Sequence, residues 1–231
     1  MPYLFPLRFY IKQYLWLTLG GLACFAFSRT TSIDLFFSDL WFNSATGQFP
    51  LTDNYWLEVV NHHYFKYAVA AIAVVVLAVA AIKRDLNMAV IALLIGMGPI
   101  VVGTLKSLSH HSCPWDLLRY GGSALEYPLL GTIDGNVGSG RCFPGGHASG
   151  GFGLLALYFL IYPFSARGAK YWAWFAIAFG LVMGFGQVMR GAHFFSHNLW
   201  SLWWVWLTQV SLYGLYSWSV RRKQPKQEEI A

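Results

Sequence analysis

The chain has 231 residues, of which 56% are hydrophobic, 18% aromatic and only 11% charged, against about 25% charged in ordinary globular domains. That composition excludes a soluble globular domain and marks an integral membrane protein. The net charge of +6 would point to nucleic acid in a soluble chain, but here the basic residues punctuate apolar runs as orientation signals do, and no nucleic-acid partner is expected.

The weakly basic start, with Arg8 and Lys12, leads into an apolar run from Phe9 to Ser28. About twenty residues at 1.5 Å each suffice to span roughly 30 Å of hydrocarbon. A retained helix is expected, because Gly21-Leu22-Ala23-Cys24 is a poor lipoprotein box and no small-x-small cleavage site precedes Arg29. From Thr30 to His63 the acids Asp34, Asp39, Asp53 and Glu58 alternate with Leu35, Phe36, Phe37, Trp41 and Phe42, which reads as an amphipathic helix in the membrane interface. A lid over an acyl-chain entrance is the functional alternative.

Phe65 to Ile82 is an uninterrupted apolar span, Lys83-Arg84-Asp85 a tight turn, and Leu86 to Leu105 the next span. Ala148 to Phe164, Tyr171 to Met189 and Leu199 to Trp218 complete six, before a basic tail from Val220 to Ala231. Six spans put both ends on one side, where Arg8, Lys12, Lys83, Arg84, Arg167, Lys170, Arg221, Arg222, Lys223 and Lys226 fall. By the positive-inside rule that side is the cytoplasm, and the chain sits in the cell (inner) membrane. No repeat or linker divides it, so one domain spans residues 1–231.

Three polar knots face the opposite side, the periplasm or exterior. The first runs from Lys106 through His110, His111, Cys113, Pro114 and Asp116 to Arg119. The second is Arg141-Cys142-Phe143-Pro144-Gly145-Gly146-His147, and the third is Arg190 to Asn198, carrying His193 and His197. Cations neutralise phosphate charge, unshielded glycine N–H groups at a helix start fix its oxygens, and one histidine can attack phosphorus while another protonates the leaving oxygen. Gathered together, the knots would make a phosphoryl-transfer pocket. Without that convergence the glycine-rich stretch is only a membrane-edge turn.

On these motifs the chain resembles the type 2 phosphatidic acid phosphatase superfamily, membrane lipid phosphatases related to vanadium haloperoxidases. That family carries K-x6-R-P, P-S-G-H and S-R-x5-H-x3-D. Lys106 and Pro114 match the first motif with Cys113 in the arginine position, and Pro144-Gly145-Gly146-His147 matches the second with glycine for serine. Arg190 and His197 match the third one step too far apart, with Ser201 at the aspartate position. The resemblance, carried by core motifs between residues 106 and 201, implies an all-α bundle of six transmembrane helices plus the interfacial helix. It also implies a metal-free, cofactor-free phosphatase. His197 would form a phosphohistidine, Lys106, Arg190, Gly145 and Gly146 would hold the phosphate, and His147 would protonate the leaving group. If one helix carried both, Arg190 and His197 would lie about 700° apart, nearly one face. His193 is the rival nucleophile.

Two departures need substitutes. Arg119, or else Arg141, would replace the arginine missing at Cys113. Asp116 would replace the missing aspartate as the group orienting the nucleophile, since no acid lies between Asp134 and Glu228; the hydroxyl of Ser201 is the alternative. Cys113 and Cys142 both lie in outward knots, where an oxidising compartment permits a disulfide; otherwise they are buried thiols. His62-His63 and His110-His111 lack the i, i+4 spacing or carboxylate cluster that would place ligands on one helical face, so no metal is expected. The run Trp200, Trp203, Trp204 and Trp206 reads as core and lipid-facing. The partners expected are the membrane and a lipid phosphate or diphosphate, with headgroup contacts from the loop between Gly121 and Gly140. A lipid phosphotransferase and a non-catalytic phospholipid-binding protein are the alternatives.

Overall fold

A computed structural model describes residues 3–28, 32–129, 138 and 140–223. Among these the chain is all-helical, with no strand beyond two isolated bridges. The long helices are α1 (Leu7–Ser28), α3 (Phe65–Lys83), α4 (Leu86–Leu108), α7 (Ala166–Met189) and α8 (Phe195–Lys223). Between α4 and α7 the chain forms α5 (Gly146–Gly153) and α6 (Leu157–Ile161), joined by a 3₁₀ turn at Leu154–Ala156. The basic tail beyond Lys223 and residues 130–137 and 139 of the expected headgroup loop lie outside the described residues.

Among the described residues three helical stretches are long and apolar enough to cross a membrane, Trp56–Lys83, Leu86–Leu108 and Ala166–Met189, and they mark the chain as a membrane protein. The expected fourth span, Ala148 to Phe164, is an apolar helical run from Gly146 to Ile161, shorter than those three. It lies in the middle of the bundle, where α5 packs against α4, α7 and α8, and Phe152, Leu154, Ala156 and Phe159 are almost wholly buried. A helix enclosed by protein need not match the thickness of the hydrocarbon.

The segment from Thr30 to His63 differs more from its expected form. Its described part is not one interfacial helix: a short α2 (Ser32–Asp39) is followed by turns, and then a π-helix (Trp56–Tyr64) runs straight into α3. Asn61 anchors the π-helix by donating to the Val182 carbonyl of α7 at 3.0 Å. Phe49, Leu117, Tyr120, Ala124 and Phe194 form a small second core under these turns.

Small residues let the central helices meet. A β-carbon at Gly151 would fall 2.5 Å from the Gly180 Cα, so α5 and α7 touch backbone to backbone. Buried Gln209 of α8 donates from Nε2 to the Gly153 carbonyl at 2.8 Å, tying α8 to α5. The tryptophan run clamps α1: the indoles of Trp200, Trp203 and Trp206 donate to Ser28 Oγ, the Leu17 carbonyl and Gln13 Oε1 at 2.9, 2.7 and 3.0 Å. At the turn between α3 and α4, Arg84 takes a left-handed conformation and Asp85 caps α4 by accepting from the Met88 N–H. This alternation brings the last residue of α1, the π-helix, Lys106, Gly146, Arg190 and Phe195 to one end of the bundle.

Candidate active site

The three knots converge at that end through backbone hydrogen bonds. Arg141 and Cys142 donate to the carbonyls of Ser109 and His111 at 2.7 and 2.9 Å, joining the second knot to the first. Gly145 donates to the His197 carbonyl and Trp115 to the Gly191 carbonyl, both at 3.0 Å, joining the third knot to the other two. A disulfide between Cys113 and Cys142 staples the first and second. Both sulfurs are therefore unavailable as thiolate ligands that could hold a metal ion together with the neighbouring His193.

Lys106, near the C-terminal end of α4, extends its side chain over Gly146, where a β-carbon would meet Nζ at 3.8 Å. The same ammonium lies 3.4 Å from Nε2 of His193. An ammonium has no acceptor, so Nε2 carries the lone pair and Nδ1 the proton. That Nδ1 faces Cys142 Sγ at 3.4 Å, a weak acceptor where an aspartate was sought. Burial, followed by the charge of Lys106, holds His193 well below the ordinary imidazole value, so the ring stays neutral and nucleophilic. Gly146 opens α5, whose first-turn N–H groups lack intrahelical acceptors and carry the positive end of the helix dipole.

His147 follows in the first turn of α5 with its ring 3.8 Å, centroid to centroid, from that of His62. His62 and His63 flank one oxygen of Glu58 at 3.4 and 3.5 Å, and the other oxygen pairs with Arg190. Arg190 also donates from Nε to the Thr52 carbonyl at 2.8 Å and from Nη1 to Gln187 Oε1 at 3.1 Å. The π-helix thus adds a carboxylate and two imidazoles that no motif announced. The available signal was Glu58 standing four residues before His62.

Several expected roles are not met by this geometry. His197 is fully buried, ringed by His111, Phe143, Phe194 and His193 with centroids 5.2 to 5.8 Å away. Neither of its ring nitrogens has a hydrogen-bond partner among the described residues. Arg190 and His197 share no helical face, because α7 ends at Met189 and α8 starts at Phe195, with Gly191 at φ 74° turning the chain between them. That turn brings His193 to Lys106 instead.

Arg119 is not brought to the cluster. It forms a two-point ion pair with Asp39, 3.2 and 2.7 Å long, and Tyr120 adds a hydrogen bond to the same carboxylate at 2.8 Å. The Arg119 hydrogen bonds hold Asp39 below the usual carboxylate range. Asp116 accepts from the Cys113 N–H at 3.0 Å and so caps its own 3₁₀ turn. Ser201 donates to the Gly145 and His197 carbonyls at 2.8 and 2.9 Å, fixing backbone rather than an imidazole. The N–H of Gly145 is engaged by His197, which leaves the α5 first turn as the donor set. Besides Glu58 at Arg190, the third knot is served by Asp34, which accepts from the N–H and hydroxyl of Ser196. Burial lifts its carboxyl to about 6 against those hydrogen bonds.

Lysine, buried histidines and a helix N-terminus gathered at one end of a helical bundle define the class: a membrane protein with a cluster whose charge and N–H donors suit an anion. A family model described as the PAP2 superfamily matches residues 67–221, about two thirds of the chain, and the protein belongs to that superfamily. Membership implies a phosphatase-type hydrolase. No curated protein and no solved structure matches the chain.

Proposed function

We propose that the protein is a membrane lipid phosphatase that releases phosphate from a lipid phosphomonoester or diphosphate through a phosphohistidine on His193. The observation that carries this reading is the 3.4 Å contact between Lys106 Nζ and His193 Nε2 above the α5 N-terminus. A phosphate entering there would meet a cation, a nucleophilic nitrogen and a row of N–H donors. His193 attacks phosphorus as the ester oxygen leaves, and His147, protonated once the phosphate anion is bound beside it, gives that oxygen its proton; water then attacks phosphorus, returning a proton to His147, and the N–P bond breaks to release phosphate and regenerate the His193 imidazole.

Counting the third motif from His193 removes the one-residue misfit. His197 then occupies the place of the family aspartate, and Gln187 the place of the arginine. Arg190 lies one turn later, held by the Gln187 side chain. His197, equally buried with its ring 5.8 Å from that of His193 and with no cation at its nitrogens among the described residues, is a supporting group in this account.

The five long helices and the shorter α5–α6 run are read as crossing the membrane with both ends cytoplasmic and the site under the outer leaflet. The basic residues at the opposite end of the bundle support that orientation. Phosphate release from a panel of phosphatidate, phosphatidylglycerophosphate, undecaprenyl diphosphate and lipid A phosphates tests the reading. Release by the wild type and none by His193→Asn supports a hydrolase. Transfer to a second lipid without release indicates a phosphotransferase, and neither activity indicates a binding protein.

A further inference from the structure

The π-helix before α3 carries a cluster that the phosphatase account does not use, Glu58, His62 and His63, half-buried on one face. In an α-helix, residues i and i+5 point about 140° apart. The i→i+5 pairing of a π-helix widens the turn so that i+4 and i+5 both overhang residue i. His62 and His63 consequently converge on the one Glu58 carboxylate, although adjacent residues of an α-helix would diverge.

Distances distinguish a hydrogen-bonded group from a ligand set. Glu58 Oε1 lies 3.4 Å from His62 Nδ1 and 3.5 Å from His63 Nε2, and all three donor atoms lie within 4.8 Å of one another. Charge-assisted N–H···O bonds are shorter, about 2.7–2.9 Å. A tetrahedral zinc ion with bonds of about 2.0–2.1 Å instead has ligand-to-ligand edges of about 3.3–3.4 Å. Glu58 is also divided suitably: Oε1 faces the imidazoles while Oε2 faces Arg190, which orients the carboxylate from behind as an outer-shell partner.

We infer that Glu58, His62 and His63 form a binding site for a borderline divalent transition metal, zinc in the first instance, beside the anion pocket. Two imidazoles and a carboxylate suit zinc rather than magnesium or calcium, which take oxygen ligands. Three protein ligands leave a fourth position for water or an oxygen of a phosphate. The neighbouring cations Arg190 and Lys66 oppose the ion's charge and weaken its binding. This site stands on the π-helix geometry and not on the phosphohistidine reading.

The test uses the purified full-length protein in detergent, cleared of metal with a chelator and titrated with Zn²⁺ by calorimetry and with Co²⁺ by visible absorption. One equivalent of Zn²⁺ is expected, with four-coordinate Co²⁺ bands, and at least tenfold weaker binding in His63→Asn and in Glu58→Gln. His110→Asn is expected to bind like the wild type. No stoichiometric binding, or equal affinity in both ligand variants, overturns the site. X-ray absorption of the zinc-loaded wild type gives a reading that needs no variant: a nitrogen and oxygen shell with two imidazoles supports the assignment, and sulfur or fewer than two imidazoles refutes it.

Discussion

Lys106 Nζ stands 3.4 Å from His193 Nε2, a cation held against the nitrogen that the proposed chemistry needs unprotonated. A positive charge at that distance disfavours imidazolium, and burial works in the same direction. Wild-type activity should therefore persist as pH falls below 6.5 and be lost only well beneath that value, when His193 protonates.

In Lys106→Met the suppressing charge is gone, so the His193 pKa rises and the acid limb of the kcat/KM profile moves up in pH. The same change removes a phosphate contact, and kcat/KM should fall about 10²- to 10³-fold. An unmoved acid limb in the variant would separate Lys106 from the nucleophile.

The glycine standing where the family motif has serine follows from Asn198. A β-carbon at Gly145 would come 2.5 Å from Asn198 Oδ1, so the asparagine fills the space a serine side chain would need. Gly145→Ser should lower the thermal midpoint and cut turnover at least tenfold, by displacing α8 from α5. Adding Asn198→Ala should restore much of both, giving a coupling energy of about 1–3 kcal/mol in a double-mutant cycle. Additive losses would show that the two positions do not compete for space.

The Cys113–Cys142 disulfide closes a loop with a sequence separation of 29 and also presents Cys142 Sγ to His193 Nδ1. The chain-entropy model assigns such a loop about 3–4 kcal/mol. Replacing both cysteines by serine should lower the unfolding midpoint. It should also reduce kcat more than KM at temperatures where the variant remains folded, because His193 loses the neighbour that orients it. Unchanged kcat in a folded double variant would limit the disulfide to stapling.

Asp34 gives a pH test of stability with a definite sign. Its carboxyl is raised from 3.8 to about 6 by burial, so the folded protein holds that proton more tightly than the unfolded chain. Stability from this group is full below the unfolded value and is lost as pH rises from about 4 to about 6. His111, pushed down to about 4 by burial, contributes with the opposite sign, so the readout is a difference. The thermal midpoint of Asp34→Asn relative to wild type should increase across that window by the equivalent of at most about 3 kcal/mol, then level off. A constant difference would mean that Asp34 does not titrate there.

The apolar runs made most of the helices legible, because roughly 20-residue apolar stretches admit few other structures. The polar knots were legible for the same reason: Lys106, His147 and Arg190 break such runs near helix ends. Three features were hidden. Gly191 ends the helix that would have paired Arg190 with His197, and a single glycine at a polar boundary does not fix where the next helix begins. The π-helix hid Glu58, His62 and His63, since an α-helical count sends His63 away from Glu58. Asp34 and Asp39 reach Ser196 and Arg119 only through tertiary folding, across 162 and 80 residues, and no local pattern reports such a contact.

The most direct test of the central claim is to trap the covalent intermediate. Wild-type protein mixed with a ³²P-labelled lipid phosphate is quenched in alkali, which preserves phosphohistidine, and the labelled peptide is mapped by mass spectrometry. The account predicts label on His193, with no label and no phosphate release in His193→Asn. Label on His197, or steady turnover in His193→Asn, would contradict it.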